Sequence, residues 1–404
     1  MNIKYDIAIV GGGVVGLLTS LALAKTGCTI IHIEKDELEV KNDNRSIAVS
    51  YSSIAFLNTL GLWDKVASKT QSIKKVHVSD KGRYGRAEIF AKDENLPFLG
   101  AIAPMRELLA VALQNVAENE NIEKAFKTNV VSLQKNADDY SLVVEQEQQQ
   151  DKIIQASLII ACDGANSSIR KMLNVGAQTT DYKQDAVVFD IQTDLDNDNT
   201  AFERFMTDGV LAMLPKSKTT MGCVWTVDRE DSKAKLNLGK KEFEELVQDR
   251  FGYRLGQLEV ATKPAVFPLY LVQSNEVYKD NVLFFGNALH FLHPVSGQGM
   301  NLSIRDIGFL YDLLVESDFS QSSIAAVLEE FAKVRKPDHD RTINITHGFV
   351  KWFVSNDLKF VASRNVGLHL LQRSKLAKKV LSRVMMGKLT RGSTLMRKVV
   401  EDEH

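Results

Sequence analysis

Cysteine is scarce in this 404-residue chain. There are three, Cys28, Cys162 and Cys223, odd in number and far apart. Neither a disulfide framework nor a zinc-ligand spacing fits them, which points to a reducing, cytoplasmic compartment. Proline is also sparse at seven residues, so extended proline-rich architectures are excluded. Net charge is nearly absent at -1, which argues against binding nucleic acid through bulk charge. Acids are missing altogether from Leu358 to Val400, where eleven lysines and arginines stand unopposed, leaving 39 basic against 51 acidic residues elsewhere. Long apolar runs are limited to one, the eighteen uncharged residues Ile7 to Ala24. Its length approaches that of a membrane span, and "LALAK" approaches a signal cleavage site. The run nevertheless contains Gly11, Gly12, Gly13 and Gly16 behind a β-rich first half, so a strand, a glycine turn and a helix account for it better.

What remains is the composition of an ordinary globular protein, 44% hydrophobic and 25% charged, long enough for two intertwined domains. "KYDIAIV" reads as a buried strand, "VVGLLTSLALAKTG" as a helix ending at Gly27, and "TIIHIE" as a second strand closing on Glu34. Together they form a βαβ unit that feeds a parallel sheet. Residues 73–90 read as an excursion from this first domain, and Met105 to Ala117 as a helix. "YSLVVEQ" and "IIQASLIIACDG" read as strands joined by a polar glutamine-rich hairpin loop. Asp185 to Leu271 is mainly strands with one helix near Glu242 to Phe251. "NVLFFG" returns to a buried strand, and helices follow almost to the end. Internal repeats and long linkers are absent.

Gly11, Gly13 and Gly16 stand in G-x-G-x-x-G spacing between a strand and a helix. The first permits a tight turn, the second lets a diphosphate approach the backbone, and the third lets helix pack on strand. The helix N-terminus offers free N–H groups to the anion. Glu34, eighteen residues past Gly16, is placed to accept ribose hydroxyls. This motif does not separate FAD from NAD. A second cluster, "ACDGANSSIR", puts Asp163 and Gly164 at a strand end with Ser167 and Arg170 beyond; a plain helix cap by Asp163 or Asn166 is the alternative there.

The stretch "FFGNALHFLHPVSGQGMNLSIRD", Phe284 to Asp306, admits three readings: a metal pair at His290 and His293, an acid/base histidine, or a cofactor cradle. No third ligand sits nearby in sequence, so no metal is expected. The segment resembles the strand–loop–helix of the ubiquinone-biosynthesis hydroxylases, FAD-dependent aromatic monooxygenases with the pattern G-D-A-A-H-x-x-x-P-x-x-G-Q-G-x-N. Gly286, His290, Pro294, Gly297, Gln298, Gly299 and Asn301 fall in register with it. With the N-terminal glycines and Asp163-Gly164, the resemblance spans nearly the whole chain.

That resemblance implies an α/β fold with a Rossmann-like FAD-binding domain, an inserted sheet-rich substrate domain and a C-terminal helical region. The expected division is 1–72, 96–180 and 280–345 for FAD, 73–95 and 181–279 for substrate, and 346–404 for the basic tail. It also implies FAD contacts at Gly11, Gly13, Gly16, Glu34, Arg45, Arg106, Asp163, Gly164, Gly286, Asn287, Gly297, Gln298, Gly299, Met300 and Asn301. His290 and Pro294 would stand beside the reaction. Gly297 to Asn301 would open a helix whose N–H groups face the flavin pyrimidine edge. One departure is Asn287, where the family has aspartate; asparagine keeps an acceptor but loses the charge-assisted bond.

The implied chemistry is hydroxylation of a polyprenylated phenol, with NAD(P)H as transient reductant, molecular oxygen as co-substrate and a flavin C4a-hydroperoxide as the oxygenating species. A single dinucleotide fingerprint in the chain agrees with a transient reductant. Phe189, Phe205, Met213 and Trp225 are candidates for the lining of the substrate pocket, although residues at alternating strand positions are more often plain core. "LHLLQRSKLAKKVLSRVMMGKL" has the rhythm of a basic amphipathic helix, suited to peripheral contact at the inner face of a membrane, to packing on the acidic remainder of the chain, or to other ubiquinone-biosynthesis proteins. A hydroxylase of a small soluble aromatic and a non-catalytic scaffold are the competing functions.

Overall fold

The computed structural model describes residues 4–37, 39–40, 45–136, 140–146, 152–206, 208–292, 297–354, 367–387 and 392–397. His293 and Pro294, read from sequence beside the cofactor, lie outside the described residues, as does the glutamine-rich loop at 147–151.

The expected βαβ unit forms the centre of the first sheet. Strand Lys4–Val10 pairs in parallel with Ile30–Glu34 on one side and Lys152–Ala161 on the other. Ile122–Phe126 and Val282–Phe284 extend the parallel order outward, so chain segments far apart in sequence become neighbours. Strands so placed are buried on both faces and read as continuous apolar runs. Helix Val14–Ala24 packs on one face of this sheet with helices Met105–Glu118 and Gln298–Leu314. Strands Thr128–Lys135, Tyr140–Gln146 and Lys152–Ala161 form an antiparallel meander, which confirms the expected hairpin.

A second sheet of nine strands stands against the first domain. Its order runs His290–Phe291, Ala265–Ser274, Ala177–Thr193, Thr220–Asp228, Gly209–Pro215, Thr200–Met206, Lys75–Asp80 and Arg86–Phe90, with Leu258–Val260 beside Ala177–Thr193. The excursion at residues 75–90 therefore joins this sheet as a hairpin at its edge, through a parallel pairing of Lys75–Asp80 with Thr200–Met206. The chain recrosses as late as His290–Phe291, beyond the boundary at 279 expected from sequence. A small antiparallel sheet of Ser46–Ser50, Gly100–Pro104 and Gln71–Ile73 bridges the two large ones.

Helix Lys240–Phe251 covers one face of the nine-stranded sheet as expected. A second helix, Arg229–Leu236, was not foreseen. Its sequence, REDSKAKL, has no apolar stripe; it is held instead by Ser232 donating to Asp185 (2.6 Å) and by Arg229 pairing with Asp181 and Asp185. After Gln298–Leu314 the chain forms the 34-residue helix Gln321–Val354 and helix Lys375–Met385. Among the described residues no helix is long and apolar enough to cross a membrane.

Candidate active site

The glycine turn is shaped by contacts that leave no room for side chains. Gly11 has φ +118°, and a Cβ there would sit 2.5 Å from the Cys162 carbonyl oxygen. A Cβ on Gly16 would sit 2.0 Å from the Gly11 carbonyl oxygen, so helix and strand touch backbone to backbone at this point. Gly13 differs: nothing lies within 4 Å of a Cβ built there, and it caps the helix N-terminus. Open space over a helix N-terminus is the cradle a diphosphate requires. Glu34 is anchored from both sides, accepting from the Gly12 amide and, at 3.1 Å, from the Asp36 amide.

The second cluster is tied to the third. Asp163 accepts from the Ser168 hydroxyl and the Ile169 amide at 3.1 Å through one oxygen, while Ser167 caps the short helix that follows. The helix-cap alternative is thus realised for part of the aspartate. Its other oxygen, Oδ1, is buried without a hydrogen-bond partner among the described residues. An orphaned carboxylate oxygen beside the glycine turn is open to a ligand hydroxyl. Arg170 donates to the Ala165 carbonyl (2.8 Å) and the Ala288 carbonyl (2.6 Å), clamping this loop to the Gly286–Ala288 turn. Gly286 adopts φ +56° and meets Val15 of the first helix, so three distant segments converge.

Gly297 closes the floor with φ +59°, capping helix Gln298–Leu314 against Ala48. Nothing approaches within 4 Å of a Cβ built on Gly299, which leaves the first turn of that helix open. Asn301 has a different role from the expected one. Its side chain accepts from the Ser50 amide and the Ser53 hydroxyl and donates to the carbonyls of Ala48 and Gly297, so protein atoms take all four of its bonds. Asn301 fastens the helix start to the bridging sheet and has nothing left for a cofactor. Arg45 and Arg106 are exposed near this floor, the latter in the first turn of helix Met105–Glu118.

Between floor and nine-stranded sheet lies a cavity of about 350 Å³. Val15, Ala48, Met105, Asn287, Gly299 and Met300 bound it below; Ala201, Glu203, Val210, Ala212, Leu214, Val224 and Thr226 bound it above. The candidate lining residues are not there. Phe189, Met213 and Trp225 project from the opposite sheet face and pack under helix Lys240–Phe251, with Phe189 edge-on to Phe243 at 5.0 Å. Strand alternation is the reason: Met213 and Trp225 each stand one residue from the cavity-facing positions 212 and 224. Phe205 has the cavity-side parity but is buried against Val78 and Val210. Large aromatics fill the helix-covered face, and small residues on the other leave the space.

Sequence reasoning also missed Glu203, the one ionisable side chain lining this cavity among the described residues. The signal was present in "TAFERFM", an acid at an inward position of an otherwise apolar strand. A smaller chamber, lined by Ile89, Leu99, Ser382 and Met386 among others, shares Ala48, Ile73 and Val76 with the main cavity and reaches the C-terminal helix.

His290 does not line the cavity, which corrects its place beside the reaction. It is buried, tilted against His339 with ring centroids 4.9 Å apart, and neither ring nitrogen has a hydrogen-bond partner among the described residues. Burial, aided by His339, pushes its pKa down to about 3, so it is neutral at physiological pH and poorly suited to shuttle protons. It borders a cluster that was not foreseen. Asp306 accepts from Arg335 (2.6 Å) and His339 (2.8 Å), and Asp338 accepts from Arg305 (2.8 Å) and Arg335 (2.6 Å). Burial alone would raise the Asp306 pKa, but His339 and Arg335 outweigh it and hold the carboxyl below the usual range. His290, Asp306 and His339 lie close enough to share a metal ion. Two guanidiniums bonded into the same group already supply the positive charge, which disfavours a cation there.

Residues 4–335 match the family model described as FAD binding domain. A ubiquinone hydroxylase of Rhodospirillum rubrum is 28% identical over 399 residues, covering 96% of this chain and 90% of its own. A 3-demethoxyubiquinol 3-hydroxylase of Escherichia coli is 27% identical over 400 residues, with 96% and 99% covered. In fold, the chain is similar to the p-nitrophenol 4-monooxygenase of Pseudomonas putida DLL-E4, with a TM-score of 0.78 and 17% identity over 97% of this chain and 100% of that one.

Proposed function

We propose, from the premise that the chain belongs to the ubiquinone-biosynthesis hydroxylases of the FAD-binding monooxygenases, that its substrate is a polyprenylated phenol hydroxylated on the aromatic ring. Membership makes the protein an FAD-dependent aromatic hydroxylase. NAD(P)H as transient reductant and molecular oxygen as co-substrate belong to the proposal.

The residues at the site fit FAD. The open helix N-terminus at Gly13 suits the diphosphate, Glu34 the adenosine ribose, the free Asp163 oxygen a hydroxyl of the cofactor, and the uncovered turn at Gly299 and Met300 the flavin edge. Bound there, FAD supplies the two-electron chemistry that activates dioxygen. The chain's own contribution is to orient the ring and keep water away. The observation that carries the reading is the shared cavity, with the cofactor cradle as its floor and a mostly apolar sheet face as its roof.

A lipophilic tail fits the smaller apolar chamber that leads towards helix Lys375–Met385. That helix buries Ser382 against the body and exposes Leu376 and Val380 among Lys375, Lys379 and Arg383, the pattern of a peripheral contact with an anionic membrane. Other ubiquinone-biosynthesis proteins are the alternative occupants of this face.

The test is the visible spectrum of the purified protein before and after denaturation, followed by NAD(P)H oxidation and product analysis with short-chain prenylated phenols. Released flavin and a hydroxylated product are expected. A protein that stays colourless with added FAD overturns the reading, and flavin without product on any phenol restricts it to cofactor binding.

A further inference from the structure

The Glu203 carboxyl enters the cavity from the middle of the roof, and among the described residues no hydrogen bond or ion pair reaches it. Its cross-strand partners are Ala212 and Val78, neither of which offers a polar side chain. The basic groups of this strand pair face the other way: Arg204 donates to Ser79 and the Arg250 carbonyl, and His77 meets Arg254, both on the opposite side of the sheet. From the floor, the Gln298–Leu314 helix presents Gly299, Met300 and Ser303, and the bridging sheet presents Ser46, Ile47 and Ala48, none of which titrates. An acid without a partner in an apolar enclosure is costly to keep unless something that visits the enclosure completes it. The buried acids Asp306 and Asp338, by contrast, have such partners in the protein.

We propose that Glu203 is the residue that binds and activates the phenolic hydroxyl of the substrate, a deepening that rests on the aromatic hydroxylase reading. The carboxylate accepts the hydroxyl's hydrogen bond and fixes which edge of the ring faces the cofactor cradle below. As the ring reacts, the phenol O–H bond breaks, the proton bonds to a Glu203 oxygen, and the electron pair stays on the phenol oxygen. Density then rises at the ring carbons ortho and para to it, the positions an electrophilic oxygen attacks. When the hydroxylated carbon sheds its own hydrogen, that proton goes to the second oxygen atom of the dioxygen co-substrate, which leaves as water at the expense of the NAD(P)H electrons. The ring recovers aromaticity, the carboxyl returns its proton to the phenol oxygen, and Glu203 ends as it began. Burial in the apolar cavity pushes its carboxyl up to about 7, matched to accepting a proton near neutral pH. Among the described residues that line the cavity, no other side chain titrates.

The experiment uses the full chain with bound FAD, a phenol carrying one isoprene unit, and the O-methyl ether of that phenol. Titration calorimetry on wild type is expected to give at least about tenfold tighter binding of the phenol than of the ether. Glu203→Leu should bring the two within about threefold. Glu203→Gln, which keeps a neutral acceptor, should retain a smaller preference and lose the rise of kcat with pH through about 7 that wild type shows. Neither variant removes a hydrogen bond or ion pair among the described residues, and thermal melts check that both fold. Equal affinity of wild type for phenol and ether, or an unchanged preference and pH limb in the variants, overturns the assignment of Glu203 while leaving the hydroxylase reading intact if product still forms. Failure of wild type to bind any phenol overturns both.

Discussion

Two groups of ionisable side chains lie close to the cavity, one buried and one half-buried, and they are built on opposite plans. Behind the floor, Asp306, Asp338, Arg305, Arg335 and His339 answer one another across helices Gln298–Leu314 and Gln321–Val354. In the roof, Glu203 has no hydrogen-bond or ion-pair partner among the described residues. The first group consumes its own charge and serves to lock two helices in one arrangement. The second leaves its charge to the cavity. The contrast teaches that burial of an acid does not by itself mark a reacting site; the absence of a protein partner, combined with access to a space of ligand size, does.

The strongest way to break the comparison is to remove a partner from the paired group. Asp306→Ala leaves Arg335 buried with half its ligands gone and should lower stability by about 3–5 kcal/mol, read by urea denaturation. A loss under 1 kcal/mol would mean that the cluster is not a lock. Glu203→Gln should do the reverse. The carboxyl's folded pKa, about 7, lies above its unfolded value of 4.5, so the native state holds the proton more tightly and wild-type stability falls as pH rises from 4.5 to 7. The glutamine variant should therefore be more stable at pH 8 by about 2 kcal/mol, allowing for water that reaches the cavity, and the gain should vanish below pH 4.5. A gain that persists at pH 4 would show that charge is not its source.

The smallest effect is expected at His290, which borders the paired group without joining its hydrogen bonds. With a folded pKa of about 3 against 6.5, it favours the folded state above pH 6.5 and withdraws that support as pH falls towards 3. His290→Phe should change stability at pH 7 by less than about 1.5 kcal/mol and flatten the decline below pH 6.5. In wild type, its imidazole resonances should stay fixed from pH 8 to 4; a midpoint near 6.5 would place it back among the candidate acid/base groups.

The glycine turn was the most legible part of the candidate site. Gly11 and Gly16 are demanded by backbone contacts only a few residues apart in sequence or set by one adjacent strand, and such short-range constraints leave a fixed spacing. The Gly164 and Gly297 turns were legible because each holds glycine at a positive φ. Asn301 was read correctly as a special position but for the wrong partner, because a side chain that bonds four backbone and hydroxyl groups of its own chain has the same sequence signature as one that bonds a ligand. The roof was harder. Alternation marks two faces of a strand but not which face a helix will cover, so lining and core both stayed open for Phe189, Met213 and Trp225 until the structure placed them in the core.

By itself, then, the sequence determined the βαβ unit, the α/β class, the glycine cradle and the family, because each rests on local periodicity or on residues whose spacing backbone geometry dictates. Tertiary structure alone decided which sheet face bounds the cavity, that His290 turns away from it, and that Asp306 is paired while Glu203 is not. Those outcomes depend on contacts between different elements of the fold, where burial and partner charge fix the state of an ionisable group and no local pattern records them.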